Sequence, residues 1–287
     1  MTYNNRGLTY LNKREHDRGI AYFNKAIEIN SKYVEAYNNR GLAYSHKGQY
    51  EQTISDFSKA LELNPNNAHV YTNRGLIYGN RGQHEKAISD FSKALEYNPK
   101  DAIAYTNRGF AYGSKKQHDQ ALSDFNKALE INPKDGEAYT YRGIAYGSKG
   151  HFDLAISDFN KALELNPKDA LAYTNRGIVY GTRRQYQQAV SEFNRALEIN
   201  PREASAYTHR GIAFKDLGQY DRALTDLNRA LEINPKEAEA LNNRGMIHYL
   251  RKDYDKSWED INRSQNLGHP IPLEFLRDLQ KDSGREK

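Results

Sequence analysis

The sequence predicts an all-α protein, a solenoid of antiparallel helix pairs with a capping helix at its C-terminal end. Three observations predict it. The pattern Tyr-x-x-Arg-Gly returns every 34 residues, at Tyr37, Tyr71, Tyr105, Tyr139, Tyr173 and Tyr207, and a fixed period of this length is that of one helix–turn–helix unit. Within each period, apolar residues recur at spacings of three and four, as amphipathic helices require. Asn-Pro then closes the period, at Pro65, Pro99, Pro133, Pro167, Pro201 and Pro235, because proline cannot continue a helix.

Positions are counted from three residues before each tyrosine, so the first helix of a pair, helix A, covers positions 1 to 14. In the fourth repeat Tyr105, Gly109 and Tyr112 share one face of it. Asp101, Asp135 and Asp169 stand where an N-cap belongs. A polar turn follows, with glycine at position 15 in four repeats (Gly48, Gly82, Gly150, Gly218). Helix B then carries Ala121, Leu122, Phe125, Ala128 and Leu129 along its buried side.

The ends depart from the pattern, as capping units do. Repeat one has Gly19 and Ser31 where alanine and proline are expected, and repeat eight has Leu241, His248, Ser257, Ile261 and Ser264 at the patterned positions. The single tryptophan, Trp258, reads as a larger plug for the last core layer. Beyond Pro270 and Pro272, Leu273, Leu276 and Leu279 recur at spacings of three beside Phe275. The expected organisation is a repeat array over 1–271, a capping helix over 272–282 and a disordered tail over 283–287.

The totals fit an elongated array. Hydrophobic residues make up 38% of the 287 and mean hydropathy is −0.94, low for a globule but expected where neighbouring repeats share a thin core. The net charge of +5 is the small difference between 42 basic and 37 acidic residues, so placement matters more than the sum. The absence of cysteine excludes disulfides and thiolate metal sites. There is no signal-peptide pattern and no apolar run of membrane-spanning length, which favours the cytoplasm for the chain as given without fixing a compartment. The chain opens almost directly on a repeat, as a mature form or a piece of a longer protein would.

An aromatic, Gly, Tyr, Ala, Phe, Ala and Pro stand at positions 4, 8, 11, 20, 24, 27 and 32; in repeat four these are Tyr105, Gly109, Tyr112, Ala121, Phe125, Ala128 and Pro133. This series resembles the tetratricopeptide repeat signature. The resemblance runs from about Tyr3 to Pro270, through seven clear repeats and an eroded eighth. It implies a right-handed superhelix with helix A on the concave face, and a protein-binding role.

The chain departs from the family at two linked positions. Position 7, usually Leu, is Arg in all eight repeats, and position 23, usually aromatic, is acidic in seven: Arg40/Asp56, Arg74/Asp90, Arg108/Asp124, Arg142/Asp158, Arg176/Glu192, Arg210/Asp226 and Arg244/Asp260. Repeat one keeps half the exchange, Arg6 with Tyr22. The joint change predicts a partly buried ion pair between helices A and B, since a guanidinium fork matches a carboxylate.

The candidate ligand-contacting residues lie beside that pair. Position 6 holds Asn5, Asn39, Asn73, Asn107, Asn175 and Asn243, interrupted by Tyr141 and His209. Asparagine is a mediocre helix former, so its return needs a reason. A column of amides can bond the C=O and N–H of an extended peptide whatever its sequence, as the asparagine ladder of some family members implies; the same amides can equally bond each other and fix the stack. Position 5 is Thr72, Thr106, Thr140, Thr174 and Thr208 in five repeats, and position 9 is apolar throughout, including Leu76, Phe110, Ile144 and Ile178. Position 12 is Gly79, Gly113, Gly147 and Gly181. These mid-helix glycines each cost about 1 kcal/mol relative to alanine, and either tight packing or a close ligand would explain them.

Other ligand classes fit less well. Family members that bind chaperone tails use Lys at position 5 and Asn at position 9, and this chain has neither. Position 14 is basic in seven repeats (Lys13, Lys47, Arg81, Lys115, Lys149, Arg183, Arg251), thickened by Arg14, Lys116, Arg184 and Lys252. That edge reads as a solvated row at helix C-termini or as an attractor of an acidic partner. The groove residues carry no basic lining, which argues against nucleic acid. No phosphate loop, zinc motif or nucleophile elbow occurs. His16, His84 and His118 sit where other repeats have Tyr or Phe, and Ser55, Ser89, Ser123 and Ser157 have no base partner. The expected function is therefore a non-enzymatic module, without cofactor or metal, binding a protein or extended peptide. The alternative is a scaffold that assembles with further copies of itself.

Overall fold

The structure is a computed structural model describing residues 2–284. Among those residues it contains seventeen helices and no strand. The chain divides into two compact units, residues 1–149 and 150–287, each described in turn.

In the first unit the A helices are Thr2–Asn12, Val34–His46, Ala68–Asn80, Ala102–Ser114 and Gly136–Ser148. The B helices are His16–Ile29, Tyr50–Leu63, His84–Tyr97 and His118–Ile131. Within the unit the first four A helices each pack on the B helix that follows, and each B helix packs on the next A helix. The core is built from one aromatic ring per repeat set among alanines: Phe23, Phe57, Phe91 and Phe125 are all fully buried. The ring of Phe125 lies so close to helix A that a Cβ added at Gly109 would stand 2.7 Å from its Cε1. Hence position 8 excludes every larger residue unless the ring moves.

The second unit begins on a B helix, Phe152–Leu165, followed by the pairs Ala170–Thr182 with Tyr186–Ile199, Ala204–Asp216 with Tyr220–Ile233, and Ala238–Leu250 with Tyr254–Asn266. Phe159, Phe193, Leu227 and Ile261 occupy its successive core layers. The final helix is Leu273–Ser283. It buries Leu279 completely but leaves Leu273 72% exposed, so the three leucines do not act as one stripe. Trp258 Nε1 donates to Ser283 Oγ at 3.0 Å, Tyr249 donates to Asp282 at 2.7 Å, and the Tyr249 ring meets Phe275 edge-on. Ser283, expected in a disordered tail, is thus a helical residue that the tryptophan holds, and 285–287 lie outside the described residues.

Capping is double-duty. Asp101 Oδ1 accepts from the Ala104 N–H and closes its own helix, while Oδ2 accepts from the Thr72 hydroxyl at 2.9 Å. Asp135 does the same with Ala138 and Thr106. In the second unit Asp169 caps Ala172. Glu203, one methylene longer, reaches the Thr174 hydroxyl at 3.0 Å without capping its own helix.

Arg40, Arg74, Arg108, Arg176, Arg210 and Arg244 form the ion pairs that the sequence predicts, and each adds a third contact. Arg108 Nε and Nη2 donate to Asp124 at 2.7 and 2.8 Å, while Nη1 reaches back to Ser92 of the preceding B helix at 3.0 Å. Arg40 and Arg74 repeat the arrangement on Asp56 with Asn24 and on Asp90 with Ser58. In the second unit Arg210 and Arg244 do so on Asp226 with Asn194 and on Asp260 with Asn228. Arg176 meets Glu192 through one oxygen. The guanidinium of Arg108 also lies over the rings of Tyr105 and Tyr112, at 5.6 and 5.9 Å. The Asp56 and Asp260 carboxylates raise Arg40 and Arg244 further above their ordinary range.

The basic edge is not a free cationic ridge. From repeat two onward each position-14 cation pairs with the acid at position 18 of the preceding repeat: Lys47 with Asp17, Arg81 with Glu51 at 2.5 Å, Lys115 with Glu85 and Lys149 with Asp119 in the first unit. Arg183 with Asp153 and Arg251 with Asp221, each at 2.6 Å, continue this in the second. The residues that thicken the edge have a different role. Arg14, Lys116, Arg184 and Lys252 take the left-handed turn at φ near +60°, where the other repeats place glycine.

Two consequences can be measured. Arg108→Met leaves the buried Asp124 carboxylate without its cation and should cost about 3–5 kcal/mol in chemical denaturation. The double variant Arg108→Met/Asp124→Leu should recover most of that loss, and strictly additive single effects would contradict the pairing. At the turn, Lys116→Gly should raise stability by about 0.5–1 kcal/mol, because a Cβ is strained at positive φ; a lower Tm would show that the strain is relieved elsewhere.

Candidate functional site

Positions 4, 7, 8 and 11 of helix A are committed to the interior and to the arginine clamp. The stripe that remains runs through positions 2, 6, 9 and 13, one helical turn apart.

In the first unit the position-6 amides bond in two ways. Asn39 donates to Asn4 at 3.0 Å and Asn73 donates to Asn38 at 3.3 Å, forming an amide network between helices. Asn107 instead donates to the Ile103 carbonyl in its own helix at 2.9 Å. In the second unit Asn175 likewise donates to Leu171 at 2.8 Å. One N–H of each of these two amides is thereby fixed, and their Oδ1 atoms have no protein partner among the described residues. Asn243 is buried, donating to the Glu239 carbonyl and accepting from Lys215 at 2.7 Å. It is structural rather than part of an open ladder.

The threonines leave the candidate surface altogether. Thr72, Thr106, Thr140, Thr174 and Thr208 are all buried. The hydroxyls of Thr72, Thr106 and Thr174 serve the capping carboxylates, and those of Thr140 and Thr208 bond the carbonyls of Gly136 and Ala204 four residues back. Thr72, Thr106 and Thr174 therefore lock one repeat to the next.

Leu76 and Ile144 are half-buried, while Phe110 is exposed and packs 4.9 Å from the Tyr141 ring. Ile103, one turn before Asn107, is 59% exposed. In the second unit Leu171, 41% exposed, stands beside Asn175. Sequence reasoning missed both position-2 residues, although the helical spacing from position 6 would have found them.

A cavity of about 270 Å³ opens in the second unit between the A helices Ala170–Thr182 and Ala204–Asp216. Its floor is Ile178, Tyr186, Phe193 and Ile212, and His209, Asp216 and Glu239 supply polar groups at its wall. The His209 ring meets Phe193 edge-on at 6.1 Å. Its buried Nδ1 lacks a hydrogen-bond partner and lies 3.7 Å from Glu239 Oε2. Burial lowers the His209 pKa against the pull of Glu239, so the imidazole is neutral near pH 7. Gly181 borders the same cavity, and a Cβ built there would meet nothing nearer than Ala189 at 3.9 Å. At Gly113 it would meet nothing within 4 Å. Internal packing therefore does not require these position-12 glycines, and they leave the backbone open.

Among the described residues there is no cluster of metal-ligating side chains, and no helix is long and apolar enough to cross a membrane.

Comparison with known proteins accords with this architecture. The tetratricopeptide repeat model matches residues 1–33, 34–67, 68–101, 102–135 and 136–169, and two related models match 159–191 with 192–225 and 211–251. No curated protein matches significantly. Among solved structures, the APC/C hetero-tetramer Cut9–Hcn1 is similar at 19% identity and a TM-score of 0.74, covering 93% of this chain and 52% of that one. The chain thus spans about half the length of that neighbour. A tetratricopeptide repeat protein from Parabacteroides merdae matches at 24% identity and a TM-score of 0.67, covering 88% and 99%. YrrB, a TPR protein with an unusual peptide-binding site, matches at 28% identity and a TM-score of 0.50, covering 64% and 95%. Consecutive matches to one repeat model account for more than half of the sequence, and the chain belongs to the tetratricopeptide repeat family.

Proposed function

We propose that this protein is a non-enzymatic binding module that holds an extended peptide along the open stripe of its A helices. Repeats of this family are generally protein-interaction modules. The observation that carries the finer reading is the pairing, in the second unit, of an apolar cavity with an amide that has unspent bonding groups. Asn175 is fixed by its own helix and keeps an acceptor for a peptide N–H, while Ile178 and Ile212 offer a dry floor to a side chain. Asn107 beside Phe110 and Ile103 presents the same combination in the first unit. The likeness to YrrB, whose binding site is for a peptide, supports this choice of ligand class.

The reading revises the list of contacts drawn from sequence. Asn107, Asn175, Phe110, Tyr141, Ile144, Ile178 and His209 stay, with Ile103 and Leu171 added. Leu76 continues the apolar stripe beside Asn39 and Asn73, whose amides are bonded to Asn4 and Asn38. Asn243 and the threonines drop out.

Selection from a random peptide library, with light scattering alongside, tests the proposal. The protein should stay monomeric across a wide concentration range and enrich peptides. Asn107→Ala/Asn175→Ala should weaken those peptides about tenfold, the loss of one or two hydrogen bonds, with Tm unchanged. If instead the mass rises with concentration and the double variant abolishes only that rise, the stripe serves self-assembly and the peptide reading falls.

A further inference from the structure

The cavity of the second unit has a charge character that its apolar floor conceals. Both ionised side chains that line it, Asp216 and Glu239, are acidic. Glu239 has no permanent cation close to it, and Asp216 has only Lys215 beside it. Glu239 faces His209 at 3.7 Å, and burial holds that imidazole in its neutral form. Asp216 pairs with Lys215 at 3.5 Å, an ammonium that also donates to Asn243 at 2.7 Å, so Glu239 is the carboxylate left without a charged partner. Both carboxylates remain partly exposed, 32% and 42% by side chain, so they are hydrated and available rather than buried in the core. An apolar floor with carboxylates at its edge is complementary to an apolar side chain that has a cation beside it.

We infer that this cavity selects peptides in which a large aliphatic or aromatic residue is adjacent to lysine or arginine, the apolar side chain filling the floor and the cation meeting Asp216 and Glu239. The inference rests on the peptide reading above and narrows it to one ligand chemistry. It is opposite in sign to the clamp used by relatives that take acidic chaperone tails. It also runs against the net charge of the whole chain, which is +5, so the preference is set by the local pair and not by the overall field. A guanidinium can fork across a carboxylate, which gives arginine the stronger contact of the two cations.

The test sequences the pool enriched by the full-length protein from a random short-peptide library, beside that enriched by Asp216→Asn/Glu239→Gln. The amide replacements keep shape and remove charge, and circular dichroism checks that the helices persist. The wild-type pool should favour an apolar residue next to Arg or Lys, and its peptides should bind the variant about tenfold more weakly. The variant's own pool should keep the apolar preference and lose the basic one. A wild-type pool without basic bias, or equal binding to both proteins, overturns the inference; the groove reading then stands if Asn107→Ala/Asn175→Ala still weakens binding. A pool with no enrichment overturns both. Self-association that Asp216→Asn/Glu239→Gln abolishes would make a second copy the occupant, and would equally overturn the peptide.

Discussion

The arginine at position 7 is the contact on which the rest depends. Its fork grips the carboxylate of its own B helix, and its third nitrogen reaches the B helix of the preceding repeat, so one side chain fixes three helices. A core made largely of alanine and a single ring per layer is thin, and shape alone would allow neighbouring pairs to slide. Ion pairs of this kind need not add net stability over an apolar replacement. What the clamp supplies is geometry, since a guanidinium accepts partners only in its plane and in fixed directions. The tyrosines at positions 4 and 11 complete the setting by laying their rings beside the cation. Where the acid is missing, in repeat one, Arg6 lies over Tyr22 instead, at 5.4 Å.

That commitment decides where a ligand can go. With positions 4, 5, 7, 8 and 11 engaged in the interior, helix A has one stripe left, and two of its positions, 2 and 13, vary widely between repeats. Position 2 is Glu35, His69, Ile103 and Glu137 in the first unit and Leu171, Ser205 and Glu239 in the second. Position 13 ranges from His46 to Asp216 to Leu250. Uniformity thus marks the scaffold, and variation marks the surface that is free to be specific.

The fold was legible because it is written many times over. Period, proline stops, aspartate caps and the Arg/acid exchange each recur, and the helices begin and end where those signals stand. The site was less legible for the same reason. Repetition made Thr72, Thr106 and Thr174 look like a stripe, whereas each hydroxyl is consumed by a carboxylate 29 residues later, a contact that no pattern within one repeat reveals. The basic edge was ambiguous in sequence too, yet its resolution was partly present there. The single repeat without a cation at position 14 has Leu217, and the acid that would have faced it is replaced by Gln187. Cation and acid are absent together, as a mutual pair requires and as an attractor for an external partner does not.

The two exceptions in the asparagine column carry the remaining information. Both put a ring at position 6, and both rings pack toward the aromatic of the preceding pair: Tyr141 lies 6.2 Å from Phe125 and His209 lies 6.1 Å from Phe193. They differ in reach. Tyr141 also extends to Phe110 at the surface and joins it in an exposed aromatic patch. The smaller imidazole at 209 has the shorter Ile178 before it, and there the cavity stands open. If the open amides read a peptide backbone, as proposed, a ring in their place exchanges sequence-independent contact for shape. On the proposed reading, a ladder interrupted at 141 and at 209 would grip a chain where open amides remain and discriminate among side chains where they do not.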